Sequence, residues 1–168
     1  DIREIADRVL RIEGQKVLQY STSEGDPELR ELIVGRLARK AGIRADPDHV
    51  LITCGSQQAL DLTAKLLLDE GDVVLCESPT YLAAIQAFRA YGPKFVEVAT
   101  DDDGMLPDDL ERCLEENPRT KIIYVIPDFQ NPSGRCWSLD RRQRLLEAAQ
   151  NFDVPVIEDS PYSELRFA

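Results

Sequence analysis

The chain has 168 residues, 43% of them hydrophobic and 30% charged, which is an ordinary balance for a globular protein with its own core. Its 31 acidic and 20 basic side chains leave a formal net charge of −11, which argues against nucleic-acid binding because that needs clustered positive charge. No apolar run approaches the length of a membrane-spanning helix and no signal-peptide pattern opens the chain, so we expect a cytoplasmic protein without membrane contact.

The cysteine pattern argues against a metal site. Cys54, Cys76, Cys113 and Cys136 lack the close spacing of zinc ligands, and the single histidine, His49, has no partner histidine. Cys54 and Cys76 lie in apolar runs, which predicts buried, reduced thiols. We therefore expect no bound metal.

The first 45 residues have a helical pattern. Asp26 as N-cap followed by Pro27 at the first helical position is a strong helix-start signal. Between the two helices, residues 16–20 are predicted to be extended. The two predicted helices are residues 1–13, ended by Gly14, and residues 27–41, ended by Gly42.

From Pro47 onward, short apolar runs alternate with helical patterns. The predicted strands are residues 50–54, 73–76, 94–98, 122–126 and 154–158, and the helices between them are residues 59–68, 81–90, 106–116 and 139–151. This alternation predicts an α/β fold, a three-layer sandwich with a mostly parallel sheet. Residues 1–45 are then a helical N-terminal arm or small-domain segment, and residues 46–168 are the sheet domain.

The predicted strand at residues 50–54 leads into a helix through Gly55-Ser56-Gln57. Glycine allows close backbone approach, and the unpaired N–H groups at a helix N-terminus favour an anion such as a phosphate. The turn matches neither of the common glycine-rich phosphate motifs, so simple helix capping remains the alternative at this point.

Two further polar or aromatic residues follow predicted strands. Asn131 lies in the turn Asn131–Gly134, just beyond the apolar run 122–126, and Tyr81 follows the strand 73–76. Ligands of open α/β sheets sit beyond the carboxyl ends of the strands, so both residues are placed to meet one. The alternatives are an ordinary strand–turn for Asn131 and simple packing for Tyr81.

The last predicted strand ends in Asp159, and Tyr162 follows three residues later. A carboxylate at the tip of a buried strand is able to stabilise a cation, and the Tyr162 hydroxyl is within reach of the same ligand. Helix capping by Asp159 before Pro161 is the alternative. Taken together, a phosphate-binding turn, a flat aromatic ring, a neutral hydrogen-bond donor and a carboxylate suit a phosphorylated aromatic cation such as pyridoxal 5′-phosphate.

With these motifs, the sequence resembles the fold-type I pyridoxal-phosphate aminotransferases of class I/II, with most similarity to the 2-aminoadipate and aromatic branch. The matching residues occur in the family's order over nearly the whole chain. They are Tyr20, Gly25-Asp26-Pro27-Glu28-Leu29-Arg30, Gly55-Ser56-Gln57-Gln58-Ala59-Leu60, Pro79-Thr80-Tyr81, Phe129-Gln130-Asn131-Pro132-Ser133-Gly134 and Glu158-Asp159-Ser160-Pro161-Tyr162.

The resemblance implies a role for each candidate residue. Tyr81 and Asp159 take the catalytic roles, Tyr81 by stacking on the pyridine ring and Asp159 by pairing with the protonated ring nitrogen. Asn131 and Tyr162 bind the phenolic oxygen of the cofactor. Tyr20 reaches the phosphate bound by a neighbouring subunit, which implies a homodimer. The phosphate itself is bound by the Gly55, Ser56 and Gln57 region.

The sequence departs from the family in two respects. The lysine that forms a Schiff base with the cofactor lies, in the family, some tens of residues beyond the Asp-x-x-Tyr motif, and none of the five lysines of this chain follows Tyr162. The arginine that binds the substrate carboxylate is absent too. We therefore expect these residues to be the N-terminal half of an enzyme that exchanges amino groups between amino acids and 2-oxo acids, inactive by themselves.

Two non-enzymatic alternatives stay open. One is an aminotransferase-like effector-sensing domain of a transcriptional regulator, and the other is a non-catalytic relic that serves as a dimerisation partner. Asn131, Asp159 and Tyr162 all keep chemically competent residue types, which favours the enzyme.

Overall fold

The computed structural model describes residues 1–165. The predicted sheet domain, residues 46–168, extends into residues 166–168, which lie outside the described part. The helices are α1 Ile2–Val17, α2 Pro27–Ala41, α3 Ser56–Leu67, α4 Leu82–Arg89, α5 Pro107–Glu116 and α6 Leu139–Asn151, with a 3₁₀ turn at Pro47–His49. The strands are β1 Val73–Glu77, β2 Lys94–Val98, β3 Thr100–Asp101, β4 Gly104–Met105, β5 Thr120–Val125 and β6 Val156–Glu158.

The chain divides into two compact units, Asp1–Thr53 and Cys54–Ala168. The assignment of residues 1–45 and 46–168 to separate domains stays a prediction.

In the first unit, α1 is longer than predicted. Asp1 and Glu4 form a capping box at its start, and the helix continues through Gly14 to Val17. The prediction that Gly14 ends the helix was wrong, as was the extended conformation of residues 16 and 17. A glycine inside a helix costs only about 1 kcal/mol relative to alanine, and here the backbone ladder continues with Leu18 N donating to Gly14 O.

The second helix of this unit begins and ends where the sequence predicted. The Asp26 side chain accepts a hydrogen bond of 3.0 Å from Leu29 N, and Pro27 occupies the first turn. Gly42 ends the helix with a φ of 68°, in the left-handed region that glycine adopts without strain.

The predicted strand at residues 50–54 is not a strand. Ile52 N donates to Glu24 O, but the segment joins no ladder, and a β-strand requires a neighbouring strand to pair with. The prediction that Cys54 is buried was wrong for the same reason, because its side chain is exposed and lies in no sheet layer. Cys76 on β1 is buried as predicted, and burial, with smaller effects from Glu97 and Glu77, raises its pKa to about 12.

The second unit is built on a four-stranded parallel sheet in the order β2-β1-β5-β6. Alternate residues of each central strand enter cores on opposite faces. Val73, Leu75, Ile123 and Val125 pack with α5 and α6, whereas Val74, Cys76, Ile122 and Tyr124 pack with α3 and α4. The predicted three-layer α/β fold is therefore confirmed, and burial on both faces explains why β5 is a continuous apolar run.

A short antiparallel hairpin, β3–β4, was not predicted. Its strands have two residues each, too few to produce a detectable alternation in the sequence. Arg141 of α6 holds it by donating to Met105 O at 2.7 Å and to the Asp101 carboxylate at 2.6 Å.

Candidate functional site

A cavity of about 110 Å³ opens beyond the carboxyl ends of β5 and β6. Five of the residues that the sequence singled out line it, together with two apolar residues that it did not. The lining residues are Ser56, Tyr81, Ile126, Asn131, Asp159, Pro161 and Tyr162.

The N-terminus of α3 contributes the Ser56 side of the cavity. Gly55 is the N-cap, with a φ of 83° that glycine tolerates, and no side chain caps this helix. The exposed first turn therefore presents backbone N–H groups and the positive end of the helix dipole, which together favour an anion. Gln57 is directed elsewhere, since its Nε2 donates to Ala83 O at 3.1 Å.

Among the described residues that line the cavity, Asp159 is the only acidic one. Its backbone N–H donates to Val125 O at 2.9 Å, which extends the β5–β6 pairing by one residue beyond the strand end. Its Oδ2 accepts a hydrogen bond of 2.8 Å from the hydroxyl of Tyr124 on β5. The capping alternative for Asp159 finds no support, because residues 160–165 contain no helix.

Tyr124 is completely buried. Burial, and after it the hydrogen bond to Asp159, raises the pKa of Tyr124 far above that of an ordinary tyrosine. The hydroxyl therefore stays protonated and acts as a permanent donor to Asp159.

The loop that carries Asn131 is attached to the segment that carries Tyr81. Gln130 is buried, and its Nε2 donates to Pro79 O at 2.7 Å while its Oε1 accepts from Ser133 N at 2.7 Å. Both side-chain atoms of Gln130 are thus used to hold the loops that follow β1 and β5 next to each other.

A buried carboxyl group, that of Glu77, contacts the loop that follows β5. Glu77, at the end of β1, accepts from Ile126 N through Oε2 and from the Trp137 indole through Oε1, each at 2.9 Å. Burial raises the pKa of Glu77, while the hydrogen bonds from Ile126 and Trp137 oppose that rise.

Sequence reasoning missed Tyr124, Glu77 and Gln130, none of which lines the cavity. A signal existed for Tyr124, because a tyrosine in the middle of a strand buried on both faces requires a partner for its hydroxyl. No comparable signal identified Glu77, whose partner Trp137 lies 60 residues away, or the bond from Gln130 to Pro79, which spans 51 residues.

The remaining candidate, Tyr20, belongs to the first unit. It follows α1, and its side chain is fully exposed. None of the five lysines lines the cavity beyond β5 and β6.

Two kinds of feature are not found in the described part of the chain. Within residues 1–165, no helix combines the length and apolar character that a membrane span requires. The same residues contain no cluster of three or more His, Cys, Asp or Glu side chains suited to a metal ion.

Comparison with known proteins supports the resemblance. The family model described as aminotransferase class I and II matches residues 1–168. Aromatic-amino-acid aminotransferase 1 of Thermococcus litoralis is 42% identical over 99% of this chain and 41% of its own length.

Two solved structures share the fold. A kynurenine aminotransferase of Pyrococcus horikoshii, in complex with PMP, has a TM-score of 0.93 at 42% identity over 99% of this chain and 42% of its own. An α-aminoadipate aminotransferase of Thermus thermophilus, complexed with N-(5′-phosphopyridoxyl)-L-leucine, has a TM-score of 0.84 at 46% identity over 94% of this chain and 39% of its own. The chain thus spans about two fifths of the length of the relatives it matches.

Proposed function

Because this chain belongs to the class I and II aminotransferase family, we propose that the whole protein is a transaminase. It transfers an amino group between an amino acid and a 2-oxo acid, with pyridoxal 5′-phosphate as cofactor, and this chain supplies the ring-binding part of the site. The observation that carries the proposal is the cavity in which Ser56, Tyr81, Asn131, Asp159 and Tyr162 meet.

The chemistry of the lining residues fits the cofactor. The first turn of α3, with Gly55, Ser56 and Gln57, would bind the phosphate through backbone N–H groups. Tyr81 would stack on the ring, and Asn131 and Tyr162 would donate to its phenolic oxygen. These assignments follow from the position of each residue around one cavity and from the similarity of the motifs to the family.

Asp159 would bind the ring nitrogen. A carboxylate next to that nitrogen favours its protonated form, because opposite charges stabilise each other in a partly buried site. When bound, the cofactor supplies an electron-accepting ring that stabilises the charge left after the substrate α-proton departs. None of the described residues that line the cavity is a lysine, so we propose that this chain by itself does not turn over a substrate.

The test is made on the full-length protein. It is incubated with pyridoxal 5′-phosphate and borohydride, and its intact mass is measured; one pyridoxyl group on one lysine is expected. Amino-group transfer to a 2-oxo acid is then assayed. Asp159→Asn is expected to lower kcat on the order of 100-fold, by analogy with the loss of one preorganised electrostatic contact, and Asp108→Asn, an exposed substitution on α5, is the matched control.

Each outcome discriminates between the candidate functions. A protein that takes up no pyridoxyl group, or that transfers no amino group to any 2-oxo acid, contradicts the proposal. Cofactor binding without transfer would instead support the sensor or relic alternatives. No relative reported above is named as a regulator.

We also propose a homodimer. The support comes from α1 and the residues after it, where Ile2, Ile12, Leu18 and Tyr20 are each more than two thirds exposed. By resemblance to the family, Tyr20 would then reach the phosphate bound by the second copy. Light scattering of the full-length protein tests this proposal, and a monomer at micromolar concentration would contradict it.

We place the protein in the cytoplasm, where a reducing environment suits its four free cysteines. Fractionation of the producing cells tests this location.

A further inference from the structure

The hydroxyl of Tyr124 and the carboxylate of Asp159 form the only side-chain hydrogen bond that joins Asp159 to the sheet in the described residues. The donor is rigid. Tyr124 is paired with Cys76 on one side and Ile157 on the other, and its ring meets that of Phe88 edge-on at 5.6 Å between centroids. A fully buried ring fixed in this way has one direction in which to donate.

The bond uses one of two carboxylate oxygens. Oδ2 of Asp159 accepts from Tyr124 at 2.8 Å, and Oδ1 accepts no hydrogen bond from the described residues. Because Asp159 N is also held by Val125 O, both ends of the residue are attached to β5. The side chain therefore has little freedom to rotate away from the cavity.

Building on the proposed function, we propose that Tyr124 is a positioning residue for Asp159: it holds Oδ2 so that Oδ1 is left for the cofactor ring nitrogen, and it keeps the shared proton on that nitrogen. Tyr124 does not itself line the cavity, so it acts through Asp159.

Two physical effects of the bond act in the same direction. A hydrogen bond donated to a carboxylate stabilises its charged form, so the carboxylate competes less for a proton that it shares with the ring. A fixed rotamer also keeps the charge at the distance where it favours a protonated ring. Loss of the hydroxyl would weaken both effects, and a ring that is less often protonated is a poorer electron acceptor.

The surroundings keep Tyr124 a donor rather than an acceptor. Besides Asp159, the acidic groups of Glu77 and Tyr81 lie close enough to oppose ionisation of its hydroxyl, and burial opposes it most. Within residues 1–165, no basic side chain contributes to the pKa of Tyr124.

The experiment compares full-length holoenzymes that carry Tyr124→Phe and Tyr91→Phe. The second variant is the control, because the Tyr91 hydroxyl also donates to an aspartate, Asp61, at the similar distance of 2.9 Å, in an exposed position away from the cavity. The readout is the ¹⁵N chemical shift of the ring nitrogen in ¹⁵N-labelled cofactor, followed against pH, together with kcat and KM.

Tyr124→Phe is expected to move the ring-nitrogen signal towards the unprotonated value. It should also lower kcat about tenfold and change KM less than twofold, as expected for the loss of one hydrogen bond to a charged group. Tyr91→Phe should match the wild type in ring-nitrogen signal, kcat and KM. A ring-nitrogen signal in Tyr124→Phe that coincides with the wild type at every pH overturns the inference.

Two further arms keep the result interpretable. If Tyr124→Phe does not fold, fluorotyrosine is incorporated at position 124; its more acidic hydroxyl is a stronger donor, so the ring-nitrogen signal must move further towards the protonated value, and a signal that is unchanged or moves towards the unprotonated value overturns the inference. Asp159→Asn separates this inference from the proposed function. If Asp159→Asn moves the signal and Tyr124→Phe does not, only the role of Tyr124 is wrong, whereas failure of the wild type to bind the cofactor rejects the proposed function itself.

Discussion

Glu77 Oε1 accepts a hydrogen bond of 2.9 Å from the indole nitrogen of Trp137, sixty residues further along the chain. Its other oxygen accepts from Ile126 N, also at 2.9 Å. Ile126 and Trp137 lie at the two ends of the loop that carries Asn131, so one buried carboxylate joins both ends of that loop to the tip of β1. This arrangement makes Glu77 a structural determinant of the cavity that it does not line.

Glu77→Gln is expected to lower the free energy of unfolding by about 1–3 kcal/mol. A glutamine side chain has one acceptor oxygen, so one of the two donors, Ile126 N or Trp137 Nε1, would lose its partner in a buried site. Denaturant unfolding of the full-length protein measures the change. Glu97→Gln is the control, since its hydrogen-bond partner Ser78 Oγ is exposed and the expected change is within about 0.5 kcal/mol. Equal stability of the two variants would contradict the prediction.

The difference in unfolding free energy between the wild type and Glu77→Gln should also depend on pH. Burial raises the pKa of Glu77 in the folded state, so the folded protein holds this proton to higher pH than the unfolded chain does. The contribution of Glu77 to stability is then full below the pKa of an ordinary glutamic acid and falls as the pH rises through the folded value. The difference in unfolding free energy between wild type and Glu77→Gln should therefore shrink from acidic to neutral pH, and a difference that grows would contradict the sign.

Asp72 should act in the opposite sense. Its pKa is lowered first by the hydrogen bond from Asp69 N, at 2.9 Å, and then by Arg119, whose Nη2 donates at 2.9 Å. A lowered folded pKa gives stability that is present above the ordinary aspartic acid pKa and is lost as the pH falls through the folded value.

We expect Asp72→Asn to lower the unfolding free energy by about 1 kcal/mol at neutral pH, because Arg119 is mostly exposed and solvent screens its charge. The difference from wild type should vanish on acidification. Asp102→Asn, which removes an exposed ion pair with Arg135, is the control and should have almost no effect. The measurement is a series of denaturant unfolding curves over pH; a difference that persists at acidic pH would show that the charge of Asp72 is not involved.

Gly104 and Trp137 are so close that no side chain fits between them. A Cβ on Gly104 would lie 2.5 Å from Trp137 Cδ2, and the φ of 120° is one that other residues rarely adopt. Gly104→Ala is therefore expected to destabilise the protein by more than about 2 kcal/mol, through displacement of the Trp137 ring and loss of its bond to Glu77.

Gly14→Ala is the matched substitution, in the interior of α1, where an added Cβ meets no atom within 4 Å. It should raise the unfolding free energy by about 0.5–1 kcal/mol. Thermal unfolding of both full-length variants provides the test, and a neutral Gly104→Ala would mean that the hairpin moves away from Trp137 without loss.

The sequence predicted elements best where the signals were local. Residues 94–98 and 139–151 were predicted with the bounds of β2 and α6, since Gly, Pro and capping residues flank a clear apolar pattern. The same holds for α2 between Asp26 and Gly42. The strand at residues 50–54 failed because pairing, unlike apolar composition, depends on a neighbouring strand.

For the candidate site, motif order identified Ser56, Tyr81, Asn131, Asp159 and Tyr162, and the structure brings these five around one cavity. Their roles towards a cofactor stay proposals. Gln57 is the instructive exception among the polar candidates, because its side chain binds Ala83 O on α4 instead.

The sequence by itself determined the family, the α/β alternation and the residue types of the candidate site, since each of these can be recognised from short-range sequence patterns. Only the tertiary structure decided which buried polar groups support the site. Tyr124 meets Asp159 across 35 positions and Glu77 meets Trp137 across 60, and each bond exists because a parallel sheet brings strand ends that are distant in sequence to one edge. A hydrogen bond depends on position and direction to within a fraction of an ångström, which no local pattern specifies.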